Sequence, residues 1–163
     1  MKVKVLGCSG SETIGHMPPG FLVNDRVMLD AGTISAALSI EAQSRITDIF
    51  ISHTHLDHIK GVLFLADNII GRVKQPVNIR ATPKVIDAIK KHLMNELIWP
   101  DFTKIPTPKN PVLAYKPMPA GKTISAAGLK VKAIPMNHPV PAVGFLVSDG
   151  QSSFIYSADT GPN

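Results

Sequence analysis

A chain of 163 residues, 44% apolar and 18% charged, can bury one hydrophobic core but not two, and it is too apolar to remain disordered. Its 17 Lys and Arg against 12 Asp and Glu give a net charge of +5, which modestly favours anionic substrates; the cations are scattered, Lys90 and Lys91 forming the densest cluster, so no stripe for a nucleic-acid backbone stands out. Cys8 is alone, no apolar run approaches the ~20 residues of a membrane span, and "MKVKVLGCSG" lacks a secretory pattern, so one cytoplasmic domain over residues 1–163 is expected.

"KVKVLG" alternates and ends in Gly7, as a half-buried strand does before the small, polar turn "GCSGSETIG". "GFLVND" and "RVMLDAG" read as two strands around a tight turn at Asn24 and Asp25. "TISAALSIEAQSRI" has apolar residues at Ile34, Ala37, Leu38, Ile40 and Ile46 behind Thr33, the pattern of a capped helix. "DIFIS" is a buried strand, and "HIKGVLFLADNII" after it is apolar enough for a buried helix. A short strand "VNIRAT" leads to the clearest helix: Thr82 at the N-cap, Pro83 in the first turn, and Ile86, Ile89, Leu93 and Leu97 along one face. Prolines crowd residues 98–119, predicting an extended connection with one strand at "VLAY". The remainder reads as strand, glycine turn and strand in "KTISAAGLKVKAIPMN", then a hairpin turning near Asp149 and Gly150. This order implies a layered, mixed α/β protein.

Between the buried strand and the buried helix lies "HTHLDH", residues 53–58. Zinc-type ions prefer imidazole nitrogen and carboxylate oxygen, and a catalytic site leaves one coordination position for water. In extended backbone, residues two apart project to one side, so His53 and His55 can share one metal. Asp57 and His58, at the start of a helix, point elsewhere and can reach a second. The composition yields H-x-H-x-D-H by chance in roughly one such chain in two thousand. Asp57 has an equal claim to be the cap of the following helix. His138 between Asn137 and Pro139, and Asp159 after a strand, would each pass alone for turn residues. His16 and His92 read as exposed.

"HTHLDH" resembles the signature of the metallo-β-lactamase-fold metallohydrolases. "VMLDAGT" is similar to the strand and turn that precede it in that family, making Asp30 a supporting residue. "PMNHPVPAVGFLV" and "FIYSADTGP" look like the later motifs, with His138 as third ligand of the first metal and Asp159 as the bridge. The fold implied is an αββα sandwich, here lacking the C-terminal part of its second half. The family's final metal-binding histidine has no counterpart after His138, so the chain looks incomplete at its C-terminus.

"HTHLDHIKGVLFLAD", with Leu56 inside the signature, is most similar to the class II 3′,5′-cyclic-nucleotide phosphodiesterases. Their later Ser-Ala or Ser-Pro stands here only as Ala66-Asp67. The tRNA 3′-processing endonucleases usually have glycine where Leu56 stands. The resemblance implies two divalent ions, zinc first with manganese or iron as alternatives. Their ligands would be His53, His55 and His138 on one ion, Asp57 and His58 on the other, and Asp159 between. A hydroxide bridging the metals would open cyclic AMP or cyclic GMP to the 5′-nucleotide, Asp57 orienting the attacking water. The implied partner is a small phosphorylated substrate, with nucleic acid second, no membrane, and a homodimer left open. The alternatives are an RNA-processing phosphodiesterase of the same fold and a metal-binding scaffold without turnover.

Overall fold

The computed structural model describes residues 1–162. Two β-sheets face each other across an apolar layer, and helices cover the far face of the first. The chain enters through β1 (Val3–Gly7), β2 (Gly20–Val23) and β3 (Val27–Leu29), an antiparallel meander. Its second connection is the three residues 24–26, in which Asn24 and Asp25 are both at positive φ and the Arg26 N–H closes the turn on the Val23 carbonyl at 3.1 Å. From β3 onward the sheet is parallel, through β4 (Asp48–Phe50), β5 (Val77–Ala81) and β8 (Leu113–Pro117). The crossovers carry α1 (Ile40–Gln43), then α2 (Leu56–Ile59) and α3 (Gly61–Ile69), then α4 (Pro83–His92) with the short hairpin β6 (Pro106–Thr107) and β7 (Asn110–Pro111). The second sheet is antiparallel, built from β9 (Thr123–Ala126), β10 (Leu129–Met136), β11 (Ala142–Ser148) and β12 (Ser153–Tyr156).

Strand alternation splits the core in two. Ile49 and Ile79 turn toward Leu65, Ile69, Val85 and Ile86 of the helices. Their neighbours Leu29 and Phe50 turn the other way, onto Val131, Val143 and Phe145 of the second sheet. Phe50 and Phe145 meet edge to face at 5.6 Å between ring centroids, the preferred aromatic geometry. Because β4 is covered on both faces, its sequence is continuously apolar after Asp48. Among the described residues no helix covers the outer face of the second sheet, where Lys130, Lys132 and Ile155 are exposed. None is long and apolar enough to cross a membrane.

Three expectations are corrected. The helix expected over 33–46 is one turn only, because Ser39 is extended and caps a fresh start by accepting from the Ala42 N–H. Thr33 is buried instead of capping. The helix after Thr82 ends at His92, leaving Leu97 exposed, and the Thr82 side chain forms no cap bond. Strand β1 lies at the sheet edge with Val3 and Val5 exposed, so it is less buried than its alternation implies.

One backbone contact fixes the helix that follows β4. The turn after β3 is stitched to α2 and α3: Ala31 N–H donates to the His58 carbonyl at 2.7 Å, and Gly61 N–H to the Ala31 carbonyl at 2.6 Å. A Cβ at Gly32 would stand 1.8 Å from the Asp57 carbonyl oxygen. Gly32→Ala must therefore displace α2, and we expect a loss of about 3 kcal/mol in urea unfolding together with weaker zinc binding; unchanged values of both would contradict this packing.

Candidate metal centre

Four stretches of chain converge at the carboxyl ends of the parallel strands, where open α/β sheets place their ligands. Beyond β4 the chain stays buried through Ser52 and His53. His55 is the N-cap of α2, with extended backbone and no side-chain cap bond. Asp57 lies inside the first turn, so it is not the cap, and its carboxylate is left free to face the cluster. His138 comes from the β10–β11 connection and Asp159 from the segment after β12. Backbone bonds hold these together: Val143 N–H to the Ser52 carbonyl, and Gly161 N–H to the Asn137 carbonyl at 2.7 Å. The Asn137 side chain adds a bond to the Pro162 carbonyl.

His53, His55, His138 and Asp159 each offer one ligand atom, all within 4.8 Å of one another. His55 Nδ1 and His138 Nε2 approach to 3.3 Å. The His58 ring stands beside them, 4.1 Å from that of His53 between centroids. Asp159 turns one oxygen toward His53 Nε2 at 3.9 Å and the other toward His58 Nε2 at 3.4 Å. Asp57 Oδ2 is 3.5 Å from the same His58 nitrogen. The six residues expected as ligands thus lie near one another, with the Asp159 carboxylate between His53 Nε2 and His58 Nε2. His16 and His92 are exposed and outside the cluster.

The cluster is held from behind by Asp30, fully buried at the end of β3 and at positive φ. Its Oδ1 accepts from the Ser52 N–H at 2.7 Å. Its Oδ2 accepts from the Ser52 hydroxyl at 2.7 Å, from His58 Nδ1–H at 2.6 Å and from the Tyr156 hydroxyl at 2.6 Å. Since the Ser52 hydrogen is committed to Asp30, its oxygen accepts from His53 Nδ1–H at 2.9 Å. One carboxylate therefore sets the tautomer of both buried histidines and directs both Nε2 atoms at the cluster. Ser52 and Tyr156 are the residues that sequence reading misses. Ser52 is adjacent to His53 and could be suspected; Tyr156 lies 126 positions from Asp30, and nothing local marks it.

His53 Nε2 and His58 Nε2 are buried without a hydrogen-bond partner. Such orphans are rare in a folded protein unless an ion or water completes them. Imidazole lone pairs flanked by carboxylates suit a zinc-type divalent ion, so the donor set fits the expected metals. Burial, aided by the neighbouring His58, pushes the His53 pKa down to about 4, keeping its lone pair free at neutral pH. Burial also opposes charge on His58, but the Asp30 hydrogen bond and the charges of Asp30, Asp159 and Asp57 outweigh it and raise its pKa. Burial first, then the Asp30 charge, keeps the Tyr156 phenol protonated as a donor.

The same fold occurs in a Bacillus subtilis metallo-β-lactamase fold protein, YhfI (TM-score 0.78, 17% identity, 99% of this chain and 63% of that one). It occurs also in unliganded yeast PDE1 (TM-score 0.80, 18% identity, 94% and 63%). The protein thus has the metallo-β-lactamase fold. The sequence model of the class-II cAMP phosphodiesterases matches residues 31–138, and the chain belongs to that family. It is 26% identical over 197 aligned residues to a probable 3′,5′-cyclic-nucleotide phosphodiesterase of Yersinia pestis, covering 99% of this chain and 55% of that protein. It is 31% identical over 158 residues to a ribonuclease Z of Azobacteroides pseudotrichonymphae, covering 91% and 52%. The chain spans about half the length of these two relatives.

If Asp30 sets both histidine tautomers, Asp30→Asn should weaken zinc binding about 10- to 100-fold, read by competition against a chromophoric chelator. Ser52→Ala, which removes the branch to His53 and one of the four donors to Asp30 but leaves the Asp30–His58 bond, should cost less. Equal affinity for all three proteins would sink this assignment.

Proposed function

We propose that the cluster is the dinuclear centre of a phosphodiesterase that opens 3′,5′-cyclic nucleotides, cyclic AMP and cyclic GMP, to 5′-nucleotides. The observation that carries the reading is Asp159, whose two oxygens face one buried, unpartnered histidine nitrogen each. Family membership supports it, since the matched stretch 31–138 contains His53, His55, Asp57, His58 and His138. In this reading His53, His55 and His138 hold one divalent ion, Asp57 and His58 the other, and Asp159 serves both. Zinc is the first choice for this donor set, with manganese or iron as alternatives. Bound there, the pair of ions supplies Lewis acidity that makes water nucleophilic near neutral pH and offsets charge developing on the phosphoryl oxygens.

The chain's own residues prepare that chemistry. His53 is kept neutral by burial and needs no proton loss before binding. Asp30 and Ser52 fix the ring orientations, so the donors need not reorganise. The Asp57 side chain is a quarter exposed, which leaves it open to hydrogen-bond the attacking water and orient it. The net charge of +5 draws in a phosphate monoanion. Cys8, exposed and without a disulfide, fits a reducing, cytoplasmic setting.

A second reading, an RNA-cleaving phosphodiesterase, is favoured by the likeness to the ribonuclease Z relative. The two separate in one assay. Incubated with zinc or manganese, the chain should convert cyclic AMP to 5′-AMP and leave a precursor tRNA intact, and His53→Ala should lower turnover by at least ~100-fold. Cleavage of the tRNA with no turnover of cyclic AMP or cyclic GMP would overturn the first reading.

A further inference from the structure

Two residues of the cluster come from loops of the second sheet, and the core fixes neither loop. His138 lies between the end of β10 at Met136 and the start of β11 at Ala142, where Pro139 and Pro141 restrict the backbone. Asp159 lies beyond the end of β12 at Tyr156, after Ala158 has turned the chain through a left-handed backbone with φ 53°. The Asp159 side chain is 40% exposed, whereas those of His53 and His58 are fully buried. A carboxylate on so open a segment keeps its distances of 3.9 Å to His53 and 3.4 Å to His58 only if the chain is anchored on both sides of it. On one side the anchor is β12, where Tyr156 pairs with Phe145 of β11.

On the other side it is Asn137, the neighbour of His138. Its carbonyl accepts from the Gly161 N–H at 2.7 Å, and its Nδ2 donates to the Pro162 carbonyl at 2.7 Å. Asn137 is exposed and adds little to the core, so these two bonds are its contribution.

We propose that Asn137 is the positioning residue that makes the centre dinuclear: it clasps the Asp159 loop to the His138 loop, so that an ion engaging His138 also holds Asp159 in place for a second ion. The inference rests on the ligand assignment given above, with His53, His55 and His138 on one ion and Asp57 and His58 on the other. Ligand count then makes the two ions respond differently. Without Asp159 the first ion keeps three imidazoles and a position for water, a complete set for a zinc-type site. The second keeps only Asp57 and His58, too few for a stable one. A contact that merely stiffened the fold would act on both ions alike.

Zinc titration followed by histidine-ring ¹H–¹⁵N spectra tests this, with His53 reporting the first ion and His58 the second. In the unaltered chain the His58 shifts should follow closely on those of His53. Asn137→Ala, which deletes the side-chain bond, should weaken the second zinc about 10- to 100-fold, the usual cost of losing an outer partner, and leave the first as it was. Gly161→Pro, which deletes the N–H of the other bond, should give the same asymmetry and serves if Asn137→Ala does not fold. Equal weakening of both ions, a loss confined to the first, or two ions bound unchanged by both variants would overturn the clasp alone. Uptake of a single zinc by the unaltered chain would refute the two-ion reading and the clasp with it. The expected asymmetry without any hydrolysis of cyclic AMP or cyclic GMP would refute the substrate reading and leave the clasp standing.

Discussion

The Asp30 carboxylate is out of contact with water, and among the described residues no lysine or arginine pairs with it. Left alone, such a charge would cost several kcal/mol. It is tolerated because four donors from three elements converge on it: the Ser52 backbone and hydroxyl, His58 Nδ1–H and the Tyr156 hydroxyl. The compensation works in both directions. The same bonds that satisfy the carboxylate fix Ser52 and His58, and through Ser52 they fix His53. The stability of the β3 turn and the aim of the buried histidines are therefore one interaction, and neither can be altered alone.

The fold brings these partners together by ordinary means. A parallel β3–β4 pair puts the end of one strand beside the end of the other, so Asp30 and Ser52 meet across the sheet. Aspartate tolerates the left-handed backbone this turn needs better than a branched residue would. The second sheet then packs on Phe50 through Phe145, which sets Tyr156 over Asp30 and brings the loops carrying His138 and Asp159 to the mouth between the sheets. The β3 turn and α2 approach so closely that only glycine fits at position 32.

What the sequence discloses and what it hides follow from the range of the interactions. "HTHLDH" is legible because its ligand spacing is local, and the strand and helix around it are marked by apolar runs. His138 and Asp159 are weak signals alone and become legible only through resemblance, because their meeting with the cluster depends on the packing of two sheets. The helix expected over 33–46 fails because apolar spacing says nothing of Ser39, whose hydroxyl competes with the helix and restarts it. Leu97 fits the apolar face of α4 in register, yet the helix stops at His92 before reaching it. Tyr156 is hidden most completely, since an alternating strand presents tyrosine inward for packing whether or not its hydroxyl finds a carboxylate.

The central claim is that a single buried carboxylate holds His53 and His58 with Nδ1 protonated and Nε2 turned to the metals. Long-range ¹H–¹⁵N correlation of the histidine rings in the zinc-loaded chain measures this without reference to any substrate. Both rings must carry a slowly exchanging proton on Nδ1 and none on Nε2, with the His53 signal altered in Asp30→Asn although the hydrogen-bonded link between the two runs through Ser52. A proton on Nε2 of either ring, or a His53 ring indifferent to Asp30→Asn, would contradict the claim.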